Sequence, residues 1–599
     1  MAAIKLSKFL GLAPKISPEL LPESVAQVAF HCQLQSGDLV PYFKNKLLST
    51  LPKTGVVKSI YPLESGGTLY WLHWNNDVDV AKTINSGILD QRIYYTGDSE
   101  PRVTNFTLAT TSGSNYPVDW YTLGLPAPTV APSASLGGGG SGTALPRTYV
   151  YTWLTLWGEE SQPSAASNSV NAMEGQTVTV TLTTSAPAGD LQTTGMVKRL
   201  YRSVSSTAGT FYYFVADVAM ATSSYNDTTA TSALVTTLPS TTWASPSSSM
   251  IGMITMPNGM MVGFFDNTLC FCEPYFPHAW PVSYRISLDH TIIAISSIGN
   301  SVICATTANP YVVTGNSPSN MSTTKLDVNY PCVSKRSMAN MGWCVVYASR
   351  GGLVVISQSG NELLTKHIYY WDSWQDLPIT TIVAKYYDGK YYASYTNGSF
   401  IFERDDQIGG YLVTTDDIFT AAHYDFDDAI FYFLKNEEIG NRLYQWSDKT
   451  LAYDLQDWKS KVYIFKEPIN IGAARVVFDD TGQVNVGATN AIIIAANAAA
   501  IAAGTTDGAF NDIEINGSRM SINGSGAAIQ DLVSADQGDY ILFQLFANKI
   551  LVHTQYVLDT KVFRTPPGIK SDTWEVKVSS TVRIRAIHLA ETPLGLKQA

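Results

Sequence analysis

Short strand pairs closed by tight glycine turns recur through the middle of this chain, and they constrain its fold more than any other feature. Gly263-Phe264-Phe265 leads into Asn267-Thr268-Leu269-Cys270-Phe271. Ile292-Ile293-Ala294-Ile295 turns at Gly299-Asn300 into Val302-Ile303-Cys304. Cys344-Val345-Val346-Tyr347 turns at Gly351-Gly352 into Leu353-Val354-Val355-Ile356. Lys385-Tyr386-Tyr387 turns at Asp388-Gly389 into Lys390-Tyr391-Tyr392-Ala393. Asp-Gly between strand runs is a strong hairpin signal, because both positions accept the positive φ of a type I′ turn. Hairpins at intervals of roughly 40–50 residues fit propeller blades. The repeats are too weak in sequence to give a blade count. Stretches before residue 120, such as Thr68 to Trp74 and Arg92 to Gly97, have the same character. The economical reading is one propeller with an interruption.

The interruption begins where Pro126, Pro128 and Pro132 are followed by Gly137 to Gly140, Ser141 and Gly142. A Pro-rich stretch followed by a Gly-rich one reads as a flexible linker and a domain boundary. The glycines do not form a phosphate loop, since no Lys-Ser or Lys-Thr pair follows them. Tyr149 to Leu156, Thr177 to Leu182, Leu200 to Ser203 and Phe211 to Val215 then read as strands of a small sandwich of immunoglobulin or fibronectin type. The segment holds no cysteine, so the usual sheet-to-sheet disulfide is absent. Beyond about residue 447 the pattern changes again. Asn490 to Ala503 is Ala-rich, with Ile494 and Ile501 on one helical face. Tyr540 to Phe543, Trp574 to Val578 and Val582 to Ile587 read as strands. The expected fold is mainly β: a β-propeller interrupted by an immunoglobulin-like β-sandwich, plus a C-terminal β-rich tip domain with a short Ala-rich helix. The division reads 1–140 and 245–446 for the propeller, 141–244 for the insert and 447–599 for the tip.

Composition supports a folded, loop-rich β protein. Charged residues are 15% of the chain, against about 25% in an ordinary domain. That argues against a disordered solvating chain and against a coiled coil. The net charge of -11 is the wrong sign for a general nucleic-acid binder, whose affinity comes from neutralising phosphates. The six cysteines, Cys32, Cys270, Cys272, Cys304, Cys332 and Cys344, are too sparse for a disulfide framework and read as buried thiols. The N-terminal stretch lacks the apolar core of a secretory signal, and no apolar run is long enough for a transmembrane helix.

Chemistry-bearing clusters are few. The carboxylates Asp405-Asp406, Asp416-Asp417 and Asp425, Asp427 and Asp428 sit close to expected turns, where acidic side chains usually accept bonds from nearby amides. The last group lacks the glycine and distal glutamate of a calcium loop. No histidine pair has metal-ligand spacing, and His278, in Phe276-Pro277-His278-Ala279-Trp280-Pro281, reads as a packed residue in a rigid turn. No G-x-S-x-G elbow stands out. An enzymatic propeller needs titratable groups gathered from several blades at one end of the channel, and no such set is visible. Catalytic residues, metal ligands and cofactor-binding residues are all expected to be none, and no cofactor is expected.

Several motifs resemble those of one family. They include Asn267-Thr268-Leu269 with Glu273-Pro274-Tyr275-Phe276-Pro277-His278-Ala279-Trp280-Pro281, and Pro310-Tyr311-Val312-Val313-Thr314-Gly315-Asn316-Ser317-Pro318. Pro331-Cys332-Val333-Ser334-Lys335-Arg336-Ser337, followed by Tyr347 to Leu353, continues the series. In the insert, Gly158-Glu159-Glu160-Ser161, Pro163-Ser164 and Arg199-Leu200-Tyr201-Arg202 are similar too, as is Pro566-Pro567-Gly568 with Trp574-Glu575-Val576 near the end. Together they resemble the tail tubular, or nozzle, protein of short-tailed bacteriophages. The resemblance implies a structural virion protein without enzymatic activity, located in the virion tail and assembled in the host cytoplasm. It further implies a homo-oligomer, a hexamer, docked to an adaptor or portal-connector protein, with tail fibres or spikes as further partners. DNA would pass through without specific binding during ejection, and the host envelope would be met only transiently.

Three expectations follow. The acidic clusters Asp405, Asp406, Asp416, Asp417, Asp425, Asp427 and Asp428 are candidates for a non-adhesive channel wall or for the outer surface. Ile494 and Ile501 are candidates for a packing face. The sandwich is expected to be separable from the propeller. The rival reading is a β-propeller carbohydrate-binding adhesin or glycan-active enzyme with an accessory module.

Overall fold

The computed structural model describes residues 3–82, 91–206, 209–358, 360–479, 494, 541–557 and 559–598. Within these residues the chain forms seven propeller blades. The first holds two strands, Ser59–Ser65 and Thr68–Trp74. The second runs from Asp79–Lys82 through Ile93–Thr96 and Arg102–Thr104 to Tyr121–Thr122. The third to sixth begin at Ile251–Thr255, Ile292–Ile298, Ala339–Asn340 and Val383–Tyr387, and each is a four-stranded meander. The seventh begins at Ala421–Asp425, and its outer strand is the N-terminal Lys46–Leu51. That pairing closes the ring, because the chain passes from Leu51 directly into the first blade.

Local chemistry explains the hairpins. In the sixth blade Asp388 and Gly389 have φ of +50° and +77°, and Tyr387 pairs with Lys390 across the turn. The middle strands are buried on both faces, Cys344–Ser349 along its whole length, since a neighbouring blade covers each side. Among the described residues the first blade has two strands, and the loop after the helix Phe106–Thr110 lies where a third would pair. There the His73 amide donates to the Tyr116 carbonyl and the His73 ring meets Asn115 at 3.0 Å. All six cysteines are free and buried, as their sparse spacing anticipated.

The sandwich lies between the second and third blades. One sheet holds Ser133–Arg147, Val170–Thr181 and Ser224–Asp227, and the other holds Tyr149–Leu154, Val197–Ser206 and Gly209–Ala219. Its own core is built on Tyr149, Tyr151, Trp153, Val178, Val180 and Leu200. A fully buried ion pair joins the sheets: Arg202 donates to Asp227 at 2.8 Å, and the Tyr149 hydroxyl donates to the same carboxylate. The glycine tract is not a linker. Gly137 to Gly142 lie inside the first strand, which shifts register between Leu136 and Gly139 and between Ser141 and Leu145. Gly139, Gly140 and Gly142 have φ between +84° and +90°, so the glycines serve bulges, and the insert begins near Ser133.

The first 45 residues do not belong to the propeller as expected. Ala3–Leu6 joins a sheet with Ile584–Ala590 and Ala473–Phe478. Val28–Phe30 bridges the outer strand of the sixth blade, Tyr411–Thr415, to Gln456–Lys459. That sheet continues through Ser571–Ser580 and Ile541–Ala547 to Ile550–Tyr556, so the C-terminal region extends the sixth blade. One apolar core spans the junction, from Tyr392, Ile401 and Phe433 of the propeller to Trp458, Phe543 and Trp574. Of the Ala-rich segment, only Ile494 is described; it is helical and 50% exposed, and Ile501 lies outside the described residues.

Candidate functional site

The inner strands of six blades and the turn that enters the fifth surround a narrow central cavity of about 130 Å³. Its walls carry Lys58, Asp77, Asp79, Lys335, Arg336 and Lys385, gathered from widely separated parts of the chain. This overturns the expectation that no titratable set converges in the channel. Linear spacing gave no signal of it, because Asp79 and Lys335 are 256 residues apart.

The turn Lys335–Ser337 delivers two of the cations. Ser337 is fully buried; its hydroxyl donates to the Ser334 carbonyl at 2.6 Å and accepts the Ala348 amide at 3.0 Å. The Tyr391 hydroxyl donates to the Ser337 carbonyl, and the Ser334 hydroxyl donates to the Ile382 carbonyl. Pinned between two blades, the turn projects Lys335 and Arg336 inward. Lys335 lies 2.5 Å from Asp79 and 3.3 Å from Asp77. Arg336 donates to the Lys58 and Thr420 carbonyls and so ties the first blade to the entry of the seventh.

The electrostatics are uneven. Burial opposes charge on Lys335, but Asp79 and Asp77 outweigh it and hold the ammonium above the usual lysine range. Burial pushes the Asp79 carboxyl upward, against the pull of Lys335 and of the Gly252 amide. Lys385 is the exposed middle residue of Val383–Tyr387, between the buried Val383 and Ala384 and two half-buried tyrosines, and it lines the channel. Protein atoms crowd around it, and no carboxylate among the described residues lies within ion-pair distance. Burial therefore lowers its pKa from the usual lysine value, with Asp79 opposing and Arg336 adding to the effect.

The acidic residues singled out in the sequence are not gathered together. Asp405 accepts the Gln407 and Ile408 amides in its own turn and lies 3.8 Å from Lys8. Asp406 lines a wide surface groove of about 1010 Å³ between residues 13–25 and the outer edges of the fifth and sixth blades. Asp425 accepts the amides of Asp427 and Asp428 in the first hairpin of the seventh blade, the ordinary use of acidic turn residues. Asp417 is a correction: it is 1% exposed, so it lines no wall, and it is held by Asn45 and by Lys435 at 2.5 Å. Asp416 is exposed and meets the buried His31 ring at 2.7 Å.

His31, Asp416 and Asp417 place three potential ligand atoms within 4.8 Å of one another. A cation there would have to displace the Lys435 ammonium from Asp417, so the donor set fits an ion-pair junction better than a metal. His278, by contrast, ties the insert to the third blade. It is buried, its Nε2 accepts the Glu160 amide at 3.2 Å, and burial pushes its pKa down to about 3.

No family model matches the chain, and no curated protein matches it. Among solved structures, the CNH domain of AfRom2 is similar at 8% identity, covering 41% of this chain and 93% of that one, with a TM-score of 0.23. Hsv2 from Kluyvelomyces marxianus is similar at 10% identity, covering 48% and 89%, with a TM-score of 0.24. The Pan2 WD40 domain of Neurospora crassa is similar at 5% identity, covering 47% and 86%, also at 0.24. The propeller assignment rests on the strand pairing described above.

Proposed function

We propose that this chain is a structural protein of a bacteriophage virion: one subunit of an oligomeric tail nozzle that channels DNA during ejection, with no enzymatic activity. What supports the reading is where the family-like motifs fall. Pro331 to Ser337 is the turn that locks the fifth blade to the sixth, and Phe276 to Pro281 holds the insert through His278. Leu200 to Arg202 and Glu160 are buried in the insert, where Tyr201 donates to Glu160 at 2.6 Å and Arg202 pairs with Asp227. Motifs that build joints suit a scaffold.

DNA would run in a lumen enclosed by several copies, since the cavity within one propeller, about 130 Å³, is far too narrow for a duplex. An acidic or neutral wall would let the duplex slide, whereas Lys and Arg on phosphates would hold it. The adaptor, portal and fibre contacts belong to this same proposal.

The convergent charges in the channel favour a second reading, a glycan-active propeller. The cavity speaks against it: about 130 Å³ is well under the roughly 300–1,000 Å³ of ordinary ligand pockets, and both carboxylates are already engaged by Lys335. Electron microscopy of the purified chain with its adaptor tests the proposal. Rings of six, about 390 kDa from a 65.2 kDa chain, are expected. A persistent monomer that binds glycans would overturn it.

A further inference from the structure

We propose that the central channel of the propeller binds one small oxyanion of the phosphate or sulfate class, held between Lys385 and the Lys335–Arg336 turn. Four cations, Lys58, Lys335, Arg336 and Lys385, line the cavity with two carboxylates, Asp77 and Asp79. Both carboxylates are engaged by one cation, Lys335. Arg336 donates to two backbone carbonyls and has no ion-pair partner among the described residues, with Asp77 and Asp79 acting on it only at longer range. Lys385 has no ion-pair partner among the described residues, and its ammonium is disfavoured by burial and by its cationic neighbours. The lining thus holds two more basic than acidic groups inside low-dielectric walls, an arrangement that concentrates anions, whose binding in turn favours the charged form of Lys385.

Size narrows the ligand. A volume of about 130 Å³ is the share of about four waters, which suits four oxygens around one central atom. The donors also suit it, since a planar guanidinium and an ammonium both form strong charge-assisted bonds to such oxygens. The anion would link the sixth blade to the turn that binds the first and seventh, adding a bond across the point where the ring closes. The inference is independent of the nozzle proposal, because it concerns the single chain in any oligomeric state.

Titration calorimetry of the full chain with inorganic phosphate, sulfate and, at matched ionic strength, chloride tests it. Saturable one-to-one binding of phosphate or sulfate is expected, with chloride showing none. Lys385→Gln should bind at least about ten-fold more weakly, as loss of one charge-assisted bond implies, while Lys385→Arg keeps most of the affinity. Adenosine monophosphate should bind more weakly than phosphate, because the cavity has no room for the base. No saturable binding by the wild-type protein overturns the proposal, whatever the variants do. So does equal affinity in a folded Lys385→Gln, or tighter binding of the nucleotide.

Discussion

His278 is buried and His423 half-buried, and protein packing holds both rings neutral. Burial lowers each from the ordinary histidine value to about 3; at His278 the Glu160 amide and Arg92 are lesser influences, and at His423 Lys385 adds to the fall. The unfolded chain therefore binds more protons than the folded one between about pH 3 and 6.5. Their contribution to stability is complete above pH 6.5 and is lost as pH falls toward 3, at about 1.4 kcal/mol per pH unit for each ring. His31 has the opposite sense, since Asp416 and its neighbours raise its pKa against burial; its contribution is present below 6.5 and lost as pH rises through the folded value. Urea unfolding measured from pH 7 to pH 4 should show the acid loss, and His278→Gln with His423→Gln should flatten it. An unchanged slope in the double variant would refute the assignment. The packed character of His278 was legible, because two prolines fix its turn. The channel charges were not: Asp77, Lys335 and Lys385 become neighbours only when the ring closes, and nothing local marks them.

At the scale of elements, the insert protects one exposed sheet edge in a way the sequence half disclosed. Ser161, Ser164 and Ser167, three apart, run alongside Tyr149–Leu154. The amides of Trp153, Tyr151 and Tyr149 donate in turn to the three serine hydroxyls, at 2.9, 3.2 and 3.0 Å. The serine amides donate back to the carbonyls of the same three residues. This ladder replaces a partner strand and closes the Tyr149–Leu154 edge to pairing with another chain. Ser164→Ala removes the acceptor for a buried amide and should cost about 1–3 kcal/mol, read from thermal unfolding of the insert. An unchanged melting temperature would mean that water satisfies Tyr151 instead. The serine spacing was present in the sequence, but period three has no meaning for a strand until a paired edge gives it one. The glycine tract misled for a related reason. Composition alone does not separate a flexible linker from a strand with glycine bulges, because both need positive φ and differ only in whether a neighbour such as Val170–Thr181 pairs with them.

The whole molecule divides differently from its linear order. Val28–Phe30 and most of the C-terminal strands continue the sixth blade in one sheet, Ala3–Leu6 pairs in a second sheet with Ile584–Ala590 and Ala473–Phe478, and a single core from Ile4 to Leu589 joins both to the propeller. Separating these parts would break ladder hydrogen bonds and expose Trp458, Trp574 and Phe433 together, so they should unfold as one unit. The sandwich has its own core and meets the blades through few groups. Trp157 packs on Tyr121 and under Arg92, Asp190 accepts the Thr122 amide, and His278 accepts that of Glu160. Such contacts resemble a small interdomain interface, across which cooperativity is weak. Calorimetry of the full chain should therefore show two transitions. Replacing residues 128–240 with a short Gly-Ser bridge spares Trp243, which stacks near Phe276 at 4.6 Å, and should abolish one transition. The other should shift by only a few degrees, since the loss is a handful of exposed contacts and one buried histidine acceptor. If the deletion instead broadens or removes the remaining transition, the insert is part of the propeller's folding unit and the division fails.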